Sequence, residues 1–402
     1  MRQSVIAGLT VLVATSTVLA GCSSSTKNTS ANAPIVIATV GSFSGALAAT
    51  SNGVRIGIES WAKYTNDRGG LNGRKIKIVE ADDQGNATTG LAAVRKVVEQ
   101  DHVVAIVGEA ASSVETWEKY VEGKGVPVIG GQPTETPWLT NPDFYASGTN
   151  IIAMLFGTLG LAKQLGPKYG YLYCAEAPLC AQSATLQKAI ASQIGLNLVV
   201  STKVSATAPD YTAQCQVLKD SGVQSYAVGA TSPTVLKIAA ACATQGLTAK
   251  QVTNDGTVTQ NWLKEPAVDG TLAAENDFPY TDDSTPATKT FQEAIKKYAP
   301  SVGSLMGPNV AYGWVAGELF AKAAAAGGSG TVTSASLKKG LYTLHGETLG
   351  GLAPPLTFVA GQPNLINCYF SFGIQDGKIT EPTGLRTTCA PDAAVAAIVK
   401  AF

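Results

Sequence analysis

The stretch Val103-Val-Ala-Ile-Val-Gly-Glu-Ala-Ala-Ser-Ser-Val-Glu-Thr-Trp-Glu-Lys-Tyr-Val-Glu-Gly-Lys-Gly-Val-Pro-Val-Ile-Gly-Gly131 decides the fold class. Val103 to Val107 form an unbroken apolar run ending at Gly108, the pattern of a strand buried on both faces of a parallel sheet. Ser112 and Glu115 have the spacing of a capping box, which predicts a helix starting near Ser113 with Val114, Trp117 and Val121 on its buried face. Gly123 and Gly125 end that helix, and Val126 to Ile129 returns as a parallel strand. The unit is βαβ. Its loop leaves N–H groups and serine hydroxyls at the carboxyl end of a strand, where open α/β sheets bind ligands and a helix N-terminus favours an anion. The plainer alternative is that Ser112 only caps its helix.

Working outward, the same alternation recurs on both sides. Pro34 to Val40 reads as a first strand, ending in Gly41-Ser42-Phe43-Ser44-Gly45. A helix capped by Ser51 or Asn52 follows, burying Val54, Ile58 and Trp61. Ile76 and Ile78 lie in a second strand that stops at Asp82-Asp83, a pair better suited to a turn or cap than to a metal, since no third ligand is in view. From Tyr169 a second series begins: strands at Tyr171 to Cys174, Leu196 to Lys203 and Ser225 to Gly229, with helices at Gln182 to Ile194, Thr212 to Ser221 and Pro233 to Gln245. Thr288 to Tyr298 and Val310 to Ala326 read as helices, and Leu365 to Thr380 as a hairpin turning at Asp376-Gly377. The fold class is α/β, with two doubly wound parallel-sheet lobes.

Composition narrows the function. At 402 residues the chain is long enough for two cores. Lys plus Arg equals Asp plus Glu at 29 each, which offers nucleic acid no electrostatic footprint. Arg2 followed by a largely apolar run from Val5 to Ala20 is a secretory signal too short for a comfortable membrane span. It ends Leu19-Ala20-Gly21-Cys22, which resembles the bacterial lipobox. That resemblance implies a signal peptide over 1–21 and a lipid on Cys22, followed by a flexible tether over 22–33 and an exported protein held on the outer face of the bacterial cytoplasmic membrane. The six remaining cysteines suit three disulfides in that compartment. Six allow 15 pairings, and nearest neighbours are the expectation: Cys174 with Cys180, Cys215 with Cys242, Cys368 with Cys389.

No catalytic constellation is legible. Gly41 to Gly45 puts its serines at the wrong places for a nucleophile elbow, and no phosphate-binding or dinucleotide glycine motif follows a strand. His102 and His345 are the only histidines, too few for an imidazole-rich zinc site, so neither metal nor cofactor is expected. Glu109, Glu176 and Asp255 lie at expected strand ends, which keeps an exported carboxylate-dependent hydrolase as a competing reading.

The order Gly41-Ser42-Phe43-Ser44-Gly45, Asn66-Asp67-Arg68-Gly69-Gly70-Leu71-Asn72-Gly73, Asp82-Asp83, Val107-Gly108 with Ser112-Ser113, and Val126-Pro127-Val128-Ile129 resembles the solute-binding proteins of branched-chain amino acid type ABC importers. The resemblance implies a type I periplasmic binding protein fold hinged by three crossovers, with lobes of 34–150 plus 279–346 and 151–278 plus 347–402. It implies a monomeric, non-enzymatic receptor that traps a small carboxylate-bearing solute between its lobes and delivers it to permease subunits; a ligand sensor of the same fold is the nearest variant. By position Ser112 and Thr134 match the family's carboxylate-binding serine and threonine, Gln132 a backbone-contact position, and Asp255 the acid that meets a ligand ammonium. The wider ligand-facing set so implied adds Ser44, Ala110, Ser113, Glu176 and Thr231. Where amino-acid binders carry a tryptophan this chain has Thr50, and aromatic positions of the second lobe fall near Thr231-Ser232 and within Ala177-Pro178-Leu179-Cys180, so the usual aliphatic pocket is not reproduced.

Overall fold

The computed structural model describes residues 33–45, 47–176 and 178–401. The expected signal peptide, Cys22 and nearly all of the tether lie outside the described residues. The first sheet holds β1 (Ile35–Gly41), β2 (Ile76–Asp82), β3 (Ile106–Glu109), β4 (Val128–Gly131) and β5 (Phe144–Tyr145), in the order β2-β1-β3-β4-β5 and parallel throughout. Helices α1 (Ala48–Asp67), α2 (Ala87–Glu99), α3 (Val114–Lys124) and the short α4 (Pro137–Thr140) connect these strands. Strands β3 and β4 are buried along their whole length, as their continuous apolar runs require.

The chain then crosses to α5 (Ile151–Leu165) and alternates through β6 (Lys168–Cys174), α6 (Pro178–Ile194), β7 (Asn197–Val204), α7 (Thr212–Asp220), β8 (Ser225–Gly229), α8 (Ser232–Thr244), β9 (Lys250–Asn254) and β10 (Leu272–Glu275). It returns to the first lobe for α9 (Pro286–Tyr298), α10 (Pro308–Ala326), α11 (Ser334–Leu341) and the small pair β11 (His345–Glu347) and β12 (Leu356–Thr357). The last part, β13 (Cys368–Gln375), β14 (Lys378–Thr380), β15 (Thr388–Cys389) and α12 (Asp392–Val399), completes the second lobe. Its sheet runs β14-β13-β10-β9-β8-β6-β7, parallel except that β13 pairs antiparallel with β10, β14 and β15. Asp376 and Gly377, both at positive φ, make the β13–β14 turn.

Three crossovers join the lobes and are hydrogen-bonded side by side. The Thr149 hydroxyl donates to the Cys368 carbonyl at 2.6 Å, Asn276 Nδ2 donates to the Thr149 carbonyl at 2.7 Å, and the Asn150 N–H donates to the Ile366 carbonyl at 2.9 Å. The third crossing corrects the expected boundary at 347. Leu352, Leu356, Phe358 and Ile366 all belong to the first core, whereas Tyr369 belongs to the second, so the return falls between Ile366 and Tyr369. Phe278 likewise packs in the first core.

Helix α10 lies against α1 at glycine contact distance. A Cβ on Gly57 would sit 2.1 Å from the Val310 carbonyl oxygen, and one on Gly313 would sit 2.0 Å from that of Val54. This close approach fixes the amino end of α10, and the residues it presents, as part of the first lobe. The three disulfides pair Cys174 with Cys180, Cys215 with Cys242 and Cys368 with Cys389, as the nearest-neighbour reading expects. Among the described residues no helix is long and apolar enough to cross a membrane.

Candidate functional site

A cavity of about 210 Å3 opens between the lobes. The first lobe contributes Thr50 of α1, Gln132, Pro133 and Thr134 after β4, and Asn309 and Tyr312 of α10. The crossovers and α5 contribute Thr149, Ile151, Met154 and Asn276, and the second lobe contributes Asn254 at the end of β9 and Gly256 just after it. Residues that follow β4 and β9 meet here because both parallel sheets direct their carboxyl ends toward the cleft. Among the described residues each lining side chain is uncharged, with amides and hydroxyls beside the apolar Ile151 and Met154. The volume is below the roughly 300–1,000 Å3 typical of drug-sized ligands and suits a small solute.

One chain of hydrogen bonds crosses the cleft. Gln132 Nε2 donates to Asn309 Oδ1 at 2.6 Å, and Asn309 Nδ2 donates to the Gly256 carbonyl at 3.3 Å.

The loop after β3 is organised differently from the capping box expected of Ser112 and Glu115. Ser113 is the cap residue of α3, and its side chain makes no capping bond. Instead Asp83, fully buried, gathers the loop: it accepts from Ser42 Oγ at 2.6 Å, Gly85 N at 2.8 Å, Ser113 Oγ at 2.8 Å and Ser112 N at 3.0 Å. Glu135 Oε2 accepts from Val114 N at 3.1 Å. Carboxylates from two other loops thus do the work of a local cap, which the helix dipole favours. Behind them Glu109 is buried, accepting from Trp138 Nε1 at 3.0 Å and from Ala111 N. Burial, with the nearby Glu135 charge, pushes Glu109 well above the usual carboxylate range. Burial and the Glu115 charge push Glu135 up to about 7. Asp82 takes the turn role expected of the pair, accepting from Phe43 N and Gln84 N.

Of the residues expected at the site, Gln132 and Thr134 line the cavity, and Thr50 stands at its first-lobe side. Ser112 is exposed, with its hydroxyl 3.2 Å from Ser42 Oγ, while Ser113 is directed to Asp83. Ala110 is buried, its carbonyl accepting from Ser42 N and Ser51 Oγ. That bond replaces the expected capping role of Ser51; Asn52 donates to the Phe43 and Ala48 carbonyls, and α1 begins earlier, at Ala48. Ser44 is exposed and its N–H donates to Asp82. Glu176 and Thr231 are absent from the lining. Glu176 is exposed and accepts from Ala206 N and Ser205 Oγ, which hold its carboxyl below the usual range. Thr231 precedes α8 and its hydroxyl pairs with that of Thr234 at 3.1 Å. Asp255 opens the 3-10 turn Asp255–Thr257 between two lining residues, and its side chain lies outside the described residues. Sequence reading missed Thr149, Met154, Asn254, Asn276, Asn309 and Tyr312. Polar Asn254 and Asn276 directly follow or end buried strands, a signal of cleft position, whereas nothing local marks Met154 or Asn309.

The comparisons agree with this geometry. The periplasmic binding protein family model matches residues 34–378. An amino acid binding protein of Pseudomonas aeruginosa is 28% identical over 58% of this chain, and the match spans only 63% of that relative's length. A Leu/Ile/Val-binding protein homolog 1 of Brucella suis is 27% identical over 69% of this chain and 74% of its own. The solved structure of a branched chain amino acid ABC transporter protein from Thermus thermophilus with bound valine superposes with a TM-score of 0.79 at 16% identity, covering 91% of this chain and 99% of that one. Two parallel-sheet lobes, three hydrogen-bonded crossovers and a family match over most of the chain establish that this protein belongs to the periplasmic binding protein family.

Proposed function

We propose that this protein is the extracytoplasmic receptor of an ABC importer and captures a small carboxylate-bearing solute, an amino acid or a related compound, between its lobes. The observation that supports the reading is the small cavity between the lobes, lined with hydrogen-bonding amides and hydroxyls. Thr134 lines it and Ser112 is exposed on the neighbouring loop, so their hydroxyls are the donors for a solute carboxylate. The proteins named above, called amino acid binding, called Leu/Ile/Val-binding or holding valine, support a carboxylate as the shared chemistry. Thr50 and Tyr312, in place of an aliphatic slot, leave room for a solute less apolar than leucine. Asp255 is the proposed partner of any solute ammonium. The two lobes close on the solute as it binds both walls, a population shift driven by its greater affinity for the closed form.

The anchor and partners belong to the same reading. A lipid on Cys22 holds the receptor at the membrane, the tether gives it reach, and permease subunits receive the solute from the closed form. Cys22→Ala is expected to move the protein from the membrane fraction to the soluble fraction. The functional test is a thermal-shift series on the soluble protein from Ser23 onward, with valine and benzoate as first probes within a panel of amino and aromatic acids. Binding raises the melting temperature, by about 2.7 kcal/mol of added stability at a hundred times Kd. A panel in which no carboxylic acid raises it, while a neutral solute does, overturns the carboxylate reading.

A further inference from the structure

We infer that solute binding takes up a proton: the first-lobe loops that carry Ser112 and Thr134 already hold their own carboxylates, so a solute carboxylate is accepted together with a proton on Glu135 and its acidic neighbours. This rests on the carboxylate reading proposed above and adds the control of that site by pH.

The anion-binding groups at the start of α3 are occupied from within the first lobe. The Ala111 N–H donates to Glu109, the Ser112 N–H to Asp83 at 3.0 Å and the Val114 N–H to Glu135 at 3.1 Å, while the Thr116 N–H turns to the Ser113 carbonyl. Carboxylates from β3 and from the loops after β2 and β4 therefore stand where a helix N-terminus would favour an outside anion. Glu115 adds a further negative charge on α3, and Asp82 one beside Asp83.

The cations on the surrounding helices are engaged elsewhere. On α3, Lys119 lies 3.0 Å from Glu122 and 4.0 Å from Glu118, and Lys124 lies 3.7 Å from Glu99. On α2, Arg95 sits over the Tyr120 ring and Lys96 occupies the last turn, at the end away from Asp83. Arg55 of α1 lies 3.1 Å from Glu80, and α4 carries no charged residue. Among the described residues that line the cavity no side chain is charged. With no cation to meet it, a solute carboxylate beside Thr134, the neighbour of Glu135, is one more like charge, which raises the proton affinity of the cluster. Burial and then Glu115 already set the Glu135 carboxyl at about 7, and burial with the Glu135 charge holds Glu109 high. The proton is drawn from solvent, and the protonated protein binds the acid more tightly. Affinity is therefore full below about pH 7 and falls as pH rises above it.

The test follows the Glu135 carboxyl itself. In the soluble protein from Ser23 onward with carbon-13 glutamate, the carboxyl resonance that disappears in Glu135→Gln is titrated against pH, alone and with valine or benzoate present. Calorimetry gives Kd at about pH 6 and about pH 8, a range over which the carboxylates of both probes keep their charge. Glutamine keeps a carbonyl acceptor for the Val114 N–H, and circular dichroism confirms its fold. The expected midpoint is about 7 without solute and higher with the acid that binds. Kd is expected to weaken about fivefold from the lower to the higher pH in wild type, and less than about twofold in Glu135→Gln. A solute-free midpoint in the ordinary carboxylate range overturns the inference before any acid is added. A midpoint unmoved by an acid that binds, or a Kd equally pH-dependent in Glu135→Gln, overturns it while the carboxylate reading stands. Binding by no acid of the panel at either pH overturns that reading and the inference with it.

Discussion

The Ser113 hydroxyl donates to Asp83 Oδ2 over 2.8 Å, tying the start of α3 to the loop after β2. A serine positioned for a local cap instead serves a buried carboxylate thirty residues away in the chain. The loop after β3 is therefore held by Asp83 rather than by its own helix. Replacing Asp83 with alanine removes the acceptor of two serine hydroxyls and of the Ser112 and Gly85 N–H groups, and is expected to cost about 3 kcal/mol or more. Ser113→Ala removes one partner and should cost about 1.5 kcal/mol. Urea unfolding of the two variants checks the order; equal, negligible losses would mean that the clamp does not hold the loop.

Glu135 makes stability depend on pH. Its carboxyl is raised to about 7 in the folded protein from 4.5, first by burial and then by Glu115. The folded state therefore binds the proton more tightly than the unfolded chain, and stability falls as pH rises from about 4.5 to 7. Glu109, Glu318 and Glu381, also raised, tilt the profile the same way. Glu135→Gln isolates one contribution: it should flatten the decline by up to about 3 kcal/mol between those limits. Parallel melting profiles for wild type and variant would remove Glu135 from this role.

The proposed carboxylate contact is tested by Ser112→Ala combined with Thr134→Ala. Neither hydroxyl is buried, so the protein should remain folded. Two hydrogen bonds to a charged group, about 1.5 to 3 kcal/mol each, should be lost from binding. Calorimetric titration with whichever carboxylic acid stabilises the wild type reads the loss, and an unchanged Kd would place the carboxylate elsewhere.

The disulfide between Cys215 and Cys242 staples α7 to α8 in the interior of the second lobe, with both residues 1% exposed and 27 positions apart. Replacing both with alanine should lower stability by about 3.5 kcal/mol through the freed loop entropy of the unfolded chain. Cleft binding should survive, because neither residue lines the cavity. Denaturant melts of the second-lobe transition measure the first, and thermal shifts with solute the second.

The alternating strands and helices were legible because each strand is an apolar run and each connecting helix has one buried face, as in α3 with Val114, Trp117 and Val121. Helix α5 escaped this reading for a physical reason. Ten of its fifteen residues are buried, so it has no polar face and shows no helical period. Met154, which it carries into the cavity, was lost with it. The third crossover was misplaced because 349–366 contains almost no regular structure to mark which core it joins, only the short strand Leu356–Thr357 and a 3-10 turn. Gln132 and Thr134, which the family resemblance implies by position, directly follow a buried strand and line the cavity. Asn309 and Asn276 come from segments that meet Gln132 and Thr149 only in the folded chain, 177 and 127 residues apart.

Native mass spectrometry of the soluble protein from Ser23 onward, followed by denaturation and identification of what is released, tests the central claim most directly. The account predicts one small solute bearing a carboxylate, bound one to one and displaced by the acid that stabilises the protein in solution. A tightly bound solute with no carboxylate would contradict the assignment of Ser112 and Thr134.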